Sequence, residues 1–176
     1  HIEAAMIGRN RAPGLSRHFA AEEWEAIPAD LWREERQQAY EAVDWDKSLE
    51  IYGYDSDSDA VRAAEENAAE AGVADDIVFE RHDGAAIDSG GQEGGIIITN
   101  PPYGERIGDR RSIEKLYAGW AGFLAENPTW SCFVITPDKT IENKVFGRPA
   151  NRRRKLFNGR LEVCYYQYHG EKPKSR

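Results

Sequence analysis

The sequence has few cysteines, no excess of positive charge and no long apolar run, and each absence excludes a class of protein. Its two cysteines, Cys132 and Cys164, lie inside apolar stretches without zinc spacing. Two cysteines are too few for a disulfide scaffold, and their apolar surroundings predict small buried thiols in a reducing compartment. Their spacing indicates no metal site. No apolar run approaches membrane-spanning length and no signal peptide is visible, so we expect a cytoplasmic protein without membrane association. A net charge of −8 excludes a surface that binds nucleic acid over its whole extent.

What is present fits one globular domain. The chain has 176 residues, of which 40% are hydrophobic, enough for a real core. We expect a single domain over residues 1–170 and a flexible tail over residues 171–176. The charge is uneven, because residues 148–160 hold six basic side chains and no acid. This run fits either a surface that steers a polyanion or a solvated strand edge that discourages aggregation.

Strand patterns alternate with helix patterns along most of the chain. Strands are predicted over residues 48–55, 77–83, 94–100 and 130–137, and helices over 1–10, 58–72 and 111–127. This order predicts a parallel α/β sheet, and Asn158-Gly159 predicts an antiparallel hairpin at its edge. We expect the third strand, "GGIIITN", to be the most buried, and Ser58 to cap the second of these helices. Four early aromatic side chains are expected to face the core: Phe19, Trp24, Trp32 and Tyr40.

Three successive predicted strands end in a polar side chain: Asp55, Asp83 and Asn100. Ligands of parallel α/β sheets bind at the carboxyl ends of the strands. A carboxylate offers two acceptor oxygens to a vicinal diol, so Asp55 is a candidate for binding a ribose. Asp83 is placed to accept from an adenine amino group, although an acid at a strand end, taken alone, is more often an ordinary loop residue.

The third strand ends abruptly in Asn100-Pro101-Pro102-Tyr103. Two prolines fix φ and remove two backbone donors, so the sheet cannot continue there. An exocyclic base amine is a poor nucleophile, because its lone pair is delocalised into the ring. An Asn side-chain oxygen and a proline carbonyl can hold the two N–H protons, and the Tyr ring can stack on the base. The corner therefore favours amine alkylation over a purely structural turn.

Asn100-Pro101-Pro102-Tyr103 resembles the catalytic motif of class I S-adenosylmethionine-dependent amino-methyltransferases. The longer "NPPYGERIG" is similar to the THUMP-associated ribosomal RNA guanine-N2 methyltransferases, often labelled N6-adenine-specific methylases. Further similar segments are "IEAAMIGRNRAPGLSRHFAAEEW", "IYGYDSDSDAVRAAEENAAEAG" and "KLFNGRLEVCYYQY", so the resemblance covers nearly the whole chain.

The resemblance implies a class I methyltransferase fold that binds S-adenosylmethionine and methylates RNA, guanine N2 of large-subunit ribosomal RNA in particular. It implies that an upstream THUMP domain belongs to the protein. The implied catalytic residues are Asn100, Pro101, Pro102 and Tyr103. The implied cofactor-binding residues are Asp55, Ser56, Asp83, Gly84 and Asn100, and the implied substrate-binding residues are Tyr103, Glu105 and Arg106.

One departure from the family concerns the first glycine-rich motif, Asp-Pro-x-Cys-Gly-Ser-Gly-Thr, which should precede "IEAAM". Its strand would lie at the centre of the sheet, between the strands that end at Asp55 and Asn100. Without it, we expect two unpaired inner strand edges and very weak S-adenosylmethionine binding by residues 1–176 alone. Another departure is Ser56, where the family usually has an apolar residue. Two alternative functions stay open: adenine-N6 methylation of DNA or RNA, and a non-catalytic fragment with a structural or RNA-binding role.

Overall fold

A computed structural model describes residues 1–103 and 109–172, and the chain divides into two compact units, His1–Asp83 and a second that begins at Gly84. The first unit contains α1 (Ile2–Gly8), α2 (Ala29–Glu41), β1 (Ile51–Asp55), α3 (Ser58–Glu70) and β2 (Ile77–Arg81). The second contains β3 (Ile96–Thr99), α4 (Asp109–Glu126), β4 (Ser131–Thr136), a π-helix (Glu142–Phe146), β5 (Arg152–Asn158) and β6 (Leu161–Tyr168). Within the part of the chain that the structure describes, no helix is both long enough and apolar enough to cross a membrane.

In the first unit, β1 and β2 pair in parallel and are joined by α3, as the alternating pattern predicts. Its core joins residues of α1, α3, the segment that follows α3, and β2: Ala5, Ala68, Val73 and Ile77. Ile2 and Met6 of α1 pack against this core, which confirms the helix predicted at the start of the sequence. A partly buried ion pair also joins Arg9, the residue after α1, to the turn before β2, where Arg9 Nε lies 2.6 Å from Asp76 Oδ2.

Helix α3 follows from its composition and its ends. Alanine and glutamate, both strong helix formers, fill most of its positions. The prediction that Ser58 caps it was wrong by one residue. Asp57 is the N-cap, and its side chain accepts from the backbone N–H of Asp59. Gly72 follows the C-terminus with a φ of 69°, the left-handed conformation that ends helices.

The second unit is a four-stranded sheet in the order β3-β4-β6-β5. Strands β3 and β4 are parallel, whereas β6 runs antiparallel to both β4 and β5, so the predicted antiparallel hairpin is confirmed. Asn158 pairs with Leu161, which leaves a two-residue loop. Gly159 has a φ of 61° at the first loop position, where the tight turns of β-hairpins need glycine.

One face of this sheet forms the core with α4 and the π-helix. Side chains alternate along β4 and β6, so every second residue points to that face. The buried set is Tyr117, Trp120, Cys132, Val134, Ile141, Val145, Tyr166 and Tyr168. The expectation that the third strand is the most buried was wrong. Ile96 and Ile98 of β3 are 66% and 69% exposed, because they point away from the core, and β4 is the more buried strand.

The early aromatic residues do not all pack inward, contrary to expectation. Trp24 and Tyr40 are exposed, and Phe19 lies at the border between half-buried and exposed. Trp32 is half-buried and stacks on Phe19 with ring centroids 6.0 Å apart. These residues flank and occupy α2, none of whose residues is fully buried, so they have little apolar surface to pack against.

Strands β1 and β3 each pair along one edge. In the described residues β1 has β2 as its neighbour and β3 has β4, while the other edge of each strand makes no ladder.

Candidate functional site

The Asn-Pro-Pro-Tyr corner follows directly after β3. Thr99, the last residue of the strand, pairs with Val134 of β4, and the chain leaves the sheet at Asn100. Pro101 is buried, whereas Asn100 is exposed. The hydroxyl of Tyr103 donates a hydrogen bond to Asn100 Oδ1 over 2.9 Å. The predicted pair of amide and aromatic ring is therefore in direct contact.

This hydrogen bond orients the amide. It turns Asn100 Oδ1 towards Tyr103, and because an amide oxygen has two lone pairs, one acceptor direction is left for a ligand N–H. The same bond fixes the Tyr103 ring, which is half-buried. The corner thus presents an acceptor and an aromatic ring as one preorganised unit. Glu105 and Arg106, predicted to contact substrate, lie outside the described residues.

In the first unit, Asp55 stands at the carboxyl end of β1 with Ser56 after it. Both residues are exposed. Asp55 Oδ1 accepts from the backbone N–H of Asp57 over 2.9 Å, which ties the carboxylate to the turn into α3. Arg81 Nε donates to the Ser56 carbonyl over 3.0 Å, so the turn is also held from β2. The second carboxylate oxygen of Asp55 lies in an exposed group that can accept hydrogen bonds from a ligand.

Asp83 lies beyond β2 rather than at its last residue, since the strand ends at Arg81 and not at Asp83 as predicted. The backbone N–H of His82 donates to the Asp55 carbonyl over 2.9 Å, which extends the pairing past the end of the strand. Asp83 follows at the next position and is exposed. Asp55 and Asp83 therefore share one end of the two-stranded sheet.

Gly84, the other predicted cofactor-binding residue, is anchored within the second unit. Trp120 Nε1 donates to its carbonyl over 2.8 Å. A Cβ on Gly84 would lie 3.3 Å from Leu116 Cδ1, and a Cβ on Gly119 would lie 1.9 Å from the Ala85 carbonyl oxygen. Helix α4 thus packs tightly against this loop. The sequence analysis missed this support, although a glycine beside a tryptophan within an apolar helix was a usable signal.

A further acid that the sequence analysis missed is Asp138, which follows β4 at the sheet end where Asn100 follows β3. Its carboxylate Oδ1 accepts from both the backbone N–H and the hydroxyl of Thr140, over 2.8 and 2.6 Å. Its own N–H donates to Thr136 Oγ1 over 3.1 Å. These bonds fix the loop after β4.

Burial raises the pKa of Tyr117, and the hydrogen bond between Tyr117 and Thr136 opposes that rise.

No cluster with the composition of a metal site is found in residues 1–103 and 109–172. A metal ion needs at least three His, Cys, Asp or Glu side chains at one point, and the described residues contain no such group.

Parallel strands with acids and an amide at their carboxyl ends, followed by an antiparallel hairpin, define a domain of the class I methyltransferase type. The chain belongs to the UPF0020 family, the RMKL-like methyltransferase domain, whose family profile matches residues 1–167.

Named relatives agree with this assignment. YpsC of Bacillus subtilis, whose name describes an RNA methyltransferase, is 41% identical over 95% of this chain and 43% of its own length. The ribosomal RNA large subunit methyltransferase K/L of Syntrophotalea carbinolica is 38% identical over 92% of this chain and 23% of its own. The chain thus spans less than half the length of these relatives.

Solved structures show the same fold. SMU.472, described as a methyltransferase and complexed with SAH, superposes with a TM-score of 0.89 at 41% identity, over 98% of this chain and 45% of its own. A structure from Listeria monocytogenes, described as a predicted N6-adenine-specific DNA methylase, gives 0.85 at 38% identity, over 97% of this chain and 43% of its own.

Proposed function

We propose that the protein carrying this chain transfers a methyl group from S-adenosylmethionine to an exocyclic amine of an RNA base, guanine N2 of large-subunit ribosomal RNA. The observation that carries the proposal is the exposed corner after β3, where Tyr103 holds the Asn100 amide oxygen over 2.9 Å. This corner occurs in a chain of the RMKL-like methyltransferase family.

The residues at the carboxyl ends of β1 and β2 fit the cofactor. Asp55 keeps an exposed carboxylate beside Ser56, and a carboxylate supplies the two acceptor oxygens that the hydroxyls of a ribose diol require. Asp83 supplies an acceptor for the adenine amino group, and Gly84 offers backbone with no side chain in the way, its carbonyl fixed by Trp120. When bound, S-adenosylmethionine supplies a methyl group whose C–S bond breaks as the C–N bond forms, with the amine proton passing to water.

The corner prepares the amine. Asn100 Oδ1 and the Pro101 carbonyl accept the two N–H protons, which draws the nitrogen towards a tetrahedral geometry with an available lone pair. The Tyr103 ring stacks on the base, and its hydroxyl keeps Asn100 in the accepting orientation. No strong general base is needed, because the nitrogen loses its proton only after it becomes cationic.

RNA as the substrate is supported by the names of the relatives, which describe RNA and ribosomal RNA methyltransferases. A second candidate is adenine N6, which the description of the Listeria structure favours. The same corner serves either amine, because both present two N–H protons beside an aromatic ring.

The test uses the protein carrying this chain, S-adenosylmethionine with a labelled methyl group, and ribosomal RNA from cells that lack the protein. After transfer, the RNA is digested to nucleosides and the methylated nucleoside is identified by mass spectrometry. We expect N2-methylguanosine. N6-methyladenosine would replace the first candidate by the second, and absence of label from RNA would refute both.

A further inference from the structure

Strand β5 carries four consecutive basic residues, and the structure sorts them onto two faces. Arg152, Arg153, Arg154 and Lys155 are all exposed. Successive side chains of a strand point to opposite faces. Arg153 pairs with Tyr166 and Lys155 with Cys164, so these two lie on the α4 side of the sheet, and Arg152 and Arg154 lie on the other side.

The two faces differ in how their charges are compensated. Arg153 lies 2.9 Å from Glu142 of the π-helix, and Lys155 lies 2.6 Å from Glu162 of β6. Those two are the ion pairs that the cations of β5 form with described residues, and Arg152 and Arg154 on the opposite face form none with them, although the chain carries a net charge of −8. Within the same described part of the chain, Arg160 in the hairpin loop also forms no ion pair, since Glu162, the acid of the hairpin, pairs with Lys155 and Lys139. Exposed cations that repel one another and have no acid nearby are suited to an anionic ligand.

The register relates these cations to the Asn100 corner. Asn100 continues β3 one residue past the pair of Thr99 with Val134, which brings it level with Ile135. Ile135 pairs with Tyr165, and Tyr165 pairs with Arg154, so Arg154 lies in the same row of the sheet as Asn100. Three strand spacings separate β3 from β5, roughly 14 Å, a distance that a strand of two or three nucleotides can span.

The hairpin loop between β5 and β6 extends past the carboxyl end of β4. Thr136, the last residue of β4, pairs with Cys164, whereas the hairpin runs on to the pair of Asn158 with Leu161. Arg160 therefore lies beyond the carboxyl end of β4, at the end of the sheet where the Asn100 corner is found. The order Arg152, Arg154, Arg160 leads along β5 to that end.

We propose that Arg152, Arg154 and Arg160 form a phosphate track, which binds the backbone of the substrate RNA strand while a base of that strand occupies the Asn100 corner. The identity of the ligand as RNA rests on the proposed function. If the basic edge strand served only to prevent aggregation, its ion-paired cations and its cations without an ion pair would not need to lie on opposite faces. The observed separation therefore favours a ligand on one face.

The experiment compares two double variants in the protein carrying this chain. R152Q/R154Q removes two charges from the phosphate track, and R153Q/K155Q removes two charges from the opposite face of the same strand. Binding of a short fluorescein-labelled single-stranded RNA of mixed sequence is followed by fluorescence anisotropy over a range of salt concentrations. Each phosphate contact contributes roughly 0.7 to the slope of log K against log salt for single strands.

We expect R152Q/R154Q to lower that slope by about 1.4, and R153Q/K155Q to lower it by less than half as much. Equal loss in both variants would show an effect of net charge alone and would overturn the proposal, as would an unchanged slope in R152Q/R154Q. Circular dichroism of both variants controls for folding. RNA binding is measured here without methyl transfer. If the two variants change the slope as expected but the wild-type protein transfers no methyl group, the result contradicts the proposed function and still supports the phosphate track.

Discussion

Gly119 of α4 should be irreplaceable, although glycine in a helix usually destabilises it. Replacing a helical glycine by alanine normally gains about 1 kcal/mol. Here the added Cβ would lie 1.9 Å from the Ala85 carbonyl oxygen, whereas real Cβ atoms essentially never come within 3.0 Å of another heavy atom. The obstacle is backbone, so the helix or the loop must move by about 1 Å. Overpacking of this kind lowers the free energy of unfolding by roughly 1–3 kcal/mol, or by more where the backbone has to shift.

Gly122 is the matched control, three residues along the same helix. A Cβ there would meet nothing within 4 Å. We expect Gly122→Ala to raise the melting temperature by about 2–4 °C and Gly119→Ala to lower it by about 2–12 °C, for a domain of this size. Thermal unfolding followed by circular dichroism measures both. A Gly119→Ala protein at least as stable as Gly122→Ala would refute the close packing of α4 on the loop after Gly84.

Three further predictions concern single side chains. Tyr103→Phe keeps the ring but loses the hydrogen bond from the hydroxyl to Asn100, so kcat should fall by roughly fivefold. Tyr103→Ala also loses the ring, so its kcat should fall much further, and steady-state methyl transfer by both variants measures the difference. Asp76→Asn should lower the urea midpoint more than Asp59→Asn does, because the partner of Asp76 is a largely buried Arg9 and the Asp59 pair is exposed. Burial raises the pKa of Cys132 to about 12, so its thiol should resist iodoacetamide at pH 8 until the protein is unfolded; rapid labelling of the native protein would contradict this.

The elements most readily predicted were those with a local cause. The alanine-rich α3 with glycine after its end, the strands that end near Asp55 and Asn100, and the hairpin at Gly159 follow from propensity, periodicity and turn chemistry. The motif singled out Asn100 and Tyr103 as separate site residues, whereas the hydrogen bond between them was not predicted.

The errors arose where tertiary contacts decide the outcome. A continuous apolar run cannot tell a strand covered on both faces from a strand covered on one, so the exposure of Ile96 and Ile98 on the uncovered face was not foreseen. Aromatic residues such as Trp24 were assumed to be buried, but burial depends on an available partner surface. The support of Gly84 by Trp120, and the partition of the β5 cations, depend on register and helix packing that no short stretch of sequence specifies.

The central claim is that Asn100 holds the amine that receives the methyl group, and one comparison tests it most directly. Methyl transfer to ribosomal RNA is measured for the wild-type protein carrying this chain, for Asn100→Ala, and for Asn143→Ala as a control at an exposed asparagine of the π-helix. We expect Asn100→Ala to lower kcat by about 100-fold or more at nearly unchanged S-adenosylmethionine affinity, because the lost acceptor acts in the transition state. Asn143→Ala should retain normal turnover. An Asn100→Ala protein with turnover near that of the wild type would contradict the account.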